Sequence, residues 1–564
     1  MTASILAAAY YKRKITETVP VVILMSIVMF FVLGLTGRIS HIVGAYIFCI
    51  IAADVLFGAL LYKKKRGKSD IVSVFDPGIL VWALLVLLLI PLYMHVSVYN
   101  WDDFHYWAIY AKNMYIIDGA PNGSFACTEY KDYMRGIQFV YYFVFKIMGR
   151  FSEPAMFMVN NGLILTALMP FFEKEKKDLP LYVCSVSCGI ILPYLVMFQM
   201  VHCLGVDCIM TVFFGYGLYA VYDDKEDLFH YVRIGAVMCA LTVTKTAGLV
   251  FATVILAVFL IKERRKLIPV ITYAAPAALF AIWKVYCIKK GNTTYLHDIV
   301  EENLTGATGH TLPSYAGSVT GDFVKSFFTF SLNDGPTGLT PVLILAVFVL
   351  VYVLWKDKKR EDRYVFAALI AGMVIYLVSV LYTYLFVFVE WEAKSLSSYD
   401  RYVSNYMGAL LYISALALAG GKLVSRKTFA AALIVSLATI NYSFLYSQLS
   451  PSAYEKGYEP EAARKADMCD QMGALVSSGP EAGQRVLVVM AGGDDDLRLY
   501  AQYGAVPVNV CFYDLSLEGA DIKKLSEAAR KNNVSYAFLT GGTAVGGFSD
   551  LEEGVAISVK NIDI

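Results

Sequence analysis

The hydrophobic and polar positions of this chain fall into long apolar runs separated by short charged ones. Runs long enough to cross a hydrocarbon core, roughly 17 to 25 residues, begin near Val19, His41, Phe75, Ala155, Leu179, Leu267, Leu339, Tyr364, Tyr402 and Thr428. Three shorter runs, Cys208 to Tyr222, Tyr231 to Leu249 and Val250 to Ile261, lie between. Together they predict about thirteen transmembrane helices. The first is preceded by "YYKRK" and lacks a small-residue cleavage site, so it reads as a retained helix, not a signal peptide.

The pattern changes after Tyr446. "RVLVVM" is a short β-branched run, "LRLYAQYG" has helical spacing, and "ADIKKLSEAARKNN" is an amphipathic helix feeding the strand "VSYAFLT". The turn "AGGDDD" reads as a strand-to-helix connection, because three aspartates would repel a phosphate there. The predicted architecture is a polytopic α-helical membrane protein with a small C-terminal α/β domain. Its parts are an N-terminal hairpin at 1–70, a transmembrane core at 71–446 with a first loop at 97–154, and the α/β domain at 447–564.

Composition agrees. Hydrophobic residues make up 58% of the chain, charged residues 17%, and mean hydropathy is +0.56, which excludes an ordinary soluble protein. A net charge of +1 gives no argument for nucleic acid as a partner. The ten cysteines show no metal-ligand spacing, and Cys184 and Cys188, one helical turn apart, read as small buried hydrophobes.

Local charge sets the orientation. Lys and Arg collect at "YKRK" (Tyr11), "KKKRGK" (Lys63), "EKEKK" (Glu173), "KERRK" (Lys262), "KDKKREDR" (Lys356) and "SRK" (Ser425), all on one side of a thirteen-span chain. The positive-inside rule makes that side cytoplasmic, although the acidic run at Asp223 falls there too. The opposite, outer face then receives the first loop, the bend from His202 to Asp207, the loop from Lys289 to Thr337, the segment from Glu390 to Tyr402, and the tail.

The outer face is where charge meets apolar sequence. "NWDDFHYWAIYAKNMY" begins at Asn100, and from Phe104 to Ile117 its apolar residues recur at helical spacing. The segment is expected to lie flat in the membrane interface with its aromatics at headgroup depth. One carboxylate at its first turn is an ordinary helix cap; Asp102 and Asp103 together, with His105 following, exceed that need. Asp207 stands at the mouth of another helix and is placed to share a pocket with Asp102. Lys245 interrupts an apolar run near the outer end of its span, where it either snorkels or meets an anion. Arg401 begins a late helix in "SSYDRYVSNYM", with a local pair to Asp400 as the plain alternative. Carboxylates on one wall and cations on another suit a phosphate-bearing lipid.

These segments resemble, in order, the motifs of the GT-C superfamily of membrane glycosyltransferases that use polyprenyl-phosphate sugars, in particular its aminoarabinose-transferase and protein-mannosyltransferase-like branch. "WDDFHYWAIYAKNMY" resembles the acidic first-loop motif, and "YKDYMRGIQFVYYFVFKIMGRFSEPAMFMVNNGLIL" the second juxtamembrane helix and following span. "HCLGVDCIMTVFF" looks like the second-loop Asp motif, "GAVMCALTVTKTAGLVF" the Leu-Thr-Lys helix, and "YDRYVSNYM" the Arg-Tyr motif. The resemblance spans roughly Phe75 to Ser425. It departs from the family at Met134 and Arg135, where a proline pair is usual, and at Asp103, where Glu is usual.

What the resemblance implies is inverting transfer of a sugar from a polyprenyl-phosphate donor to a glycan, lipid or protein acceptor at the outer face of a bacterial plasma membrane. Asp102 matches the first acid and is the expected base. Lys245, Arg401 and Tyr402 are expected at the donor phosphate. Asp103, His105 and Asp207 are the expected ligands of a divalent cation, Mg or Mn, where one is used. A polysaccharide polymerase or lipid-linked glycan transporter, and a non-catalytic envelope assembly scaffold, are the alternatives; a transporter calls for charges along a mid-span path, of which the sequence has few.

Overall fold

The computed structural model describes residues 1–65, 68–128, 130–174, 179–196, 203–222, 226–292, 312–332, 339–355, 358–419, 451–490, 494–515, 522–534, 536–540 and 556–558. The expected span near Thr428, His202 and residues 223–225 of the acidic run lie outside the described residues, as does much of the loop from Lys289 to Thr337.

Among the described residues six helices are long and apolar enough to cross a membrane: Ile15–Leu35, Ile39–Lys63, Leu179–Val196, Leu267–Lys290, Arg360–Phe386 and Tyr399–Ala419. Six shorter apolar helices join them, among them Gly136–Met148, Asp207–Val221, Leu228–Thr244 and Gly248–Lys262. Apolar side chains cover the outward surface of the bundle, Phe48, Val55, Leu84 and Ile375 all being exposed, as suits an integral membrane protein.

The helix Asp207–Val221, here the Asp207 helix, lies at the centre and is buried along nearly its whole length. It packs against Tyr399–Ala419, the Arg401 helix, and Gly215 allows the approach: a Cβ there would stand 2.5 Å from the ring of Tyr412. The predicted run Tyr231 to Leu249 is not one helix. Leu228–Thr244 ends where Lys245 takes an extended conformation (φ −156°, ψ 152°), and a new helix starts at Gly248. Only glycine fits there, since a Cβ would meet the carbonyl oxygen of Leu241 at 1.8 Å. Lys245 is the C-cap of the first helix, its N–H still on the Leu241 carbonyl at 3.5 Å, and the extended turn there directs its side chain sideways. The N-terminal hairpin packs into the core, Phe30 stacking on Phe143 at 4.7 Å and Phe31 meeting Trp283 at 5.5 Å.

The tail is an α/β domain. A helix, Pro451–Ser477, precedes the strands β1 (Arg485–Met490), β2 (Asn509–Asp514), β3 (Tyr536–Leu539) and β4 (Ala556–Ser558), which lie in the order β2-β1-β3-β4. β1 is parallel to both neighbours, with Val488 opposite Phe512 and Phe538, and β4 runs antiparallel to β3. Helices Asp495–Gly504 and Ile522–Lys531 make the crossovers. Of the acidic turn, residues 491–493 lie outside the described residues; Asp494 caps the following helix, accepting the Leu497 N–H at 2.9 Å.

The first-loop helix differs from the flat interfacial anchor expected of it. A π-helical turn, Asp103–Trp107, leads into the α-helix Ala108–Ile117. Phe104, Trp107, Ala108, Ala111 and Met114 are all buried. Their partners are protein: the helices Gly136–Met148 and Asp495–Gly504 cover the apolar face that headgroups were expected to meet.

Candidate active site

Three helix ends and the first loop converge at one end of the bundle. The Asp207 helix starts there, Leu228–Thr244 runs antiparallel to it and ends there at Lys245, and the Arg401 helix starts there. The loop brings Asp102 and Asp103. Asn100 opens their turn, its side chain accepting the Asp102 N–H at 3.0 Å and its carbonyl the Asp103 N–H at 3.0 Å.

Adjacent residues on a helical turn do not share a face, so the two carboxylates take different directions. Asp102 keeps a side chain that is 34% exposed and accepts a short ion pair from Nη1 of Arg401. Asp103 is buried and accepts the Leu204 N–H at 3.0 and 3.1 Å from its two oxygens. Burial pushes the Asp103 carboxyl well above the ordinary carboxylate range; the Leu204 amide opposes this, the charge of Asp102 adds to it, Arg401 opposes it and Glu153 adds. Asp103 therefore ties the first loop to the chain entering the Asp207 helix.

Asp207 is the anchor on the other side. Its Oδ1 accepts from Lys245 Nζ at 2.8 Å and from Asn405 Nδ2 at 3.0 Å, and its Oδ2 lies 3.8 Å from Nε of Arg401. Thr211 in turn donates to Asn405 Oδ1 at 3.3 Å, which fixes the amide's orientation. Arg401 thus spans both expected acids, and Nη2 reaches the Tyr402 hydroxyl at 3.4 Å. The backbone of Tyr402 is held by Tyr376, whose hydroxyl donates to its carbonyl at 2.9 Å. Beneath this cluster Phe214 stacks on Phe251 at 4.8 Å and meets Tyr406 at 5.2 Å, giving the charges an apolar floor. Asp102, Lys245 (21%) and Arg401 (17%) keep exposed edges, whereas Asp207 (2%) has almost none.

The expected metal ligands are not gathered. His105 turns to Trp101, its ring 3.6 Å from the indole and Nδ1 3.0 Å from the Trp101 carbonyl oxygen. Asp103 faces Leu204, and Asp207 faces two cations. Among the described residues no three His, Cys, Asp or Glu side chains are grouped to hold a metal ion. Asp103, His105 and Asp207 as arranged do not fit a shared divalent cation, since an ion at Asp207 would meet the ammonium of Lys245 at the same carboxylate.

No protein-family model and no curated protein matches the chain. Among solved structures, the chain is similar to the crystal structure of ArnT from Cupriavidus metallidurans bound to undecaprenyl phosphate, with 13% identity, a TM-score of 0.46, and coverage of 84% of this chain and 95% of that one.

Of the residues singled out from sequence, Asp102, Asp207, Lys245, Arg401 and Tyr402 come together, while Asp103 and His105 face away from them. Asn405 belongs to the cluster and was not singled out. Its signal was present, one helical turn after Arg401 on the same face. Arg135, standing where the resemblance expects proline, is fully buried between Tyr110 and Trp283 at 4.1 and 5.1 Å, and donates to the carbonyls of Pro121 (2.9 Å) and Lys131 (2.8 Å). A guanidinium thus holds the second half of the first loop.

Proposed function

We propose that this protein transfers a sugar from a polyprenyl-phosphate donor to an acceptor hydroxyl or amine, with inversion, at the outer face of a bacterial plasma membrane. The observation that carries the reading is the convergence of Asp102, Asp207, Lys245 and Arg401 from four separate segments on an apolar floor. Among the described residues Arg13 pairs with Asp227 and Lys262 with Asp362 at the ends of Leu228–Thr244 and Gly248–Lys262 away from Lys245, and basic residues on that side support the outward orientation of the site.

The charges suggest how the site works. Two carboxylates and two cations balance without substrate. A donor phosphodiester brings one negative charge, and the planar guanidinium of Arg401 suits its oxygens. Phosphate drawing Arg401 away from Asp102 frees that carboxylate, the more exposed of the two acids. The acceptor then attacks the anomeric carbon, the bond from that carbon to the phosphate oxygen breaks with its electron pair going to the phosphate, and the acceptor proton passes to Asp102. With Asp102 neutral, Lys245 and Arg401 exceed Asp207 by one positive charge, which stabilises the departing polyprenyl phosphate. Asp207 holds the two cations in place, and no step calls on a metal ion.

The test uses purified protein in lipid nanodiscs and a panel of polyprenyl-phosphate pentoses and hexoses, following release of polyprenyl phosphate. Asp102→Asn is expected to slow turnover by roughly 10²- to 10⁴-fold with its melting temperature kept within a few degrees. Wild-type turnover by folded Asp102→Asn overturns the assignment of the base. Mass spectrometry of envelope lipids and glycans from cells with and without the protein identifies the acceptor.

A further inference from the structure

The C-terminal domain is joined to the first loop by an arrangement that mere docking does not require. Glu153, the first residue of the helix Glu153–Ala167, accepts three hydrogen bonds: from the Val98 N–H at 2.7 Å, Lys465 Nζ at 2.7 Å and the Tyr503 hydroxyl at 2.8 Å. Lys465 also donates to the Val98 carbonyl at 3.0 Å. Val98 is therefore gripped at both its amide and its carbonyl, four residues before Asp102. On the far side of the acidic pair, Phe104 lies between the rings of Tyr500 and Tyr503, each 5.3 Å away, with the Lys465 ammonium 5.3 Å from its own ring. Lys112 donates to the Tyr503 carbonyl at 2.8 Å.

Burying an ammonium against the rings of Phe104 and Tyr503 costs solvation that an apolar side chain would not lose, and a buried ion pair is weak evidence for stability as such. What it supplies is direction. Lys465 meets the chain at Val98, four residues before Asp102, and Tyr503 meets it at Phe104, directly after Asp103.

We propose that Lys465 and Tyr503 are positioning residues, through which the C-terminal domain fixes the turn that aims Asp102 at Arg401. This rests on the transfer reading above for its catalytic consequence, though not for the mechanical one. Both side chains act through Glu153 and Val98. Loosening them moves the base relative to the phosphate partners while leaving Lys245 and Arg401 where they are.

The experiment uses the full chain in nanodiscs, comparing wild type with Lys465→Met, Lys465→Arg and Tyr503→Phe, and with Arg485→Ala, at the exposed start of β1, as control. Hydrogen–deuterium exchange of residues 98–107 and donor kinetics are both measured. Lys465→Met is expected to exchange faster over 98–107 and to lose roughly 10- to 100-fold in kcat, as misplacement by about 1 Å does, with KM for the donor within about twofold. Lys465→Arg is expected to restore most of the loss, Tyr503→Phe to show a smaller change of the same kind, and Arg485→Ala to match wild type. Should Lys465→Met fail to fold, Tyr503→Phe, which removes one hydroxyl only, carries the comparison. Unchanged exchange over 98–107, or faster exchange with wild-type kcat, overturns the proposal. A wild-type protein inert towards every donor, with exchange still responding to Lys465→Met, overturns the transfer reading and leaves the mechanical coupling in place.

Discussion

Replacing Arg401 with lysine separates a phosphate site from a local surface pair. The guanidinium reaches Asp102 through Nη1, the Tyr402 hydroxyl through Nη2 at 3.4 Å, and lies 3.8 Å from Asp207 through Nε. A lysine ammonium gathers its donors at one nitrogen and lacks the planar fork, so it cannot meet all three partners as the separate guanidinium nitrogens do. Asp207 is not left bare, because Lys245 still donates to it at 2.8 Å. The loss is therefore at least one charge-assisted hydrogen bond, about 1.5–3 kcal/mol when a bound phosphate is the partner. At about 1.4 kcal/mol per factor of ten, kcat/KM is expected to fall roughly 10- to 100-fold, chiefly as a higher KM for the donor. Stability suffers less. Asp102 is one-third exposed, so solvent screens its pair with Arg401, and about 1 kcal/mol is expected. Initial rates against donor concentration in nanodiscs, with thermal unfolding in detergent, measure the two effects. A folded Arg401→Lys protein with kcat/KM within about twofold of wild type refutes the phosphate role and returns Arg401 to a purely structural one.

Further tests bear on the cluster and its supports. Asp207→Asn and Lys245→Met are each expected to destabilise by about 2–4 kcal/mol, because each strands a mostly buried charge, and a double-mutant cycle should show about 1–3 kcal/mol of coupling; additive effects would mean that the pair contributes nothing. Asp103 has its folded pKa raised, so its contribution is fully present below the unfolded carboxylate value of about 3.9 and is lost as pH rises through the folded value. Asp103→Asn stays neutral and keeps an acceptor for Leu204, so a melting curve less sensitive to pH, with equal or higher stability at neutral pH, is expected; a pH dependence identical to wild type contradicts this. Gly248→Ala places a Cβ 1.8 Å from a backbone carbonyl that cannot swing away, so a loss of at least about 1–3 kcal/mol together with weaker donor binding is expected, the latter because Lys245 accepts the Gly248 N–H in the same turn. Wild-type melting and kinetics for Gly248→Ala would show that the break tolerates a side chain.

Much of this protein is written in short-range pattern. An apolar run long enough to span hydrocarbon predicts its helix whatever surrounds it, and the alternation of β-branched and amphipathic segments predicts an α/β tail, because both depend on hydrophobic periodicity within a window of residues. Asp102, Asp207, Lys245 and Arg401 also stand out locally, since a charge beside an apolar run is costly and calls for a partner. Which partner each takes is another matter. Arg401 meets Asp102 across 299 positions and Asp207 meets Asn405 across 198, and no local window contains such pairs. Direction is equally non-local. Asp102 and Asp103 are neighbours of identical chemistry, yet what each meets, Arg401 on one side and the Leu204 amide on the other, makes one a partly exposed acid and the other a buried tie. The apolar face of Phe104 to Met114 is amphipathic in either setting, against headgroups or against protein, and the C-terminal domain decides which. Periodicity determines that a face must be covered; only the tertiary structure determines what covers it, because the covering surfaces belong to residues tens to hundreds of positions away.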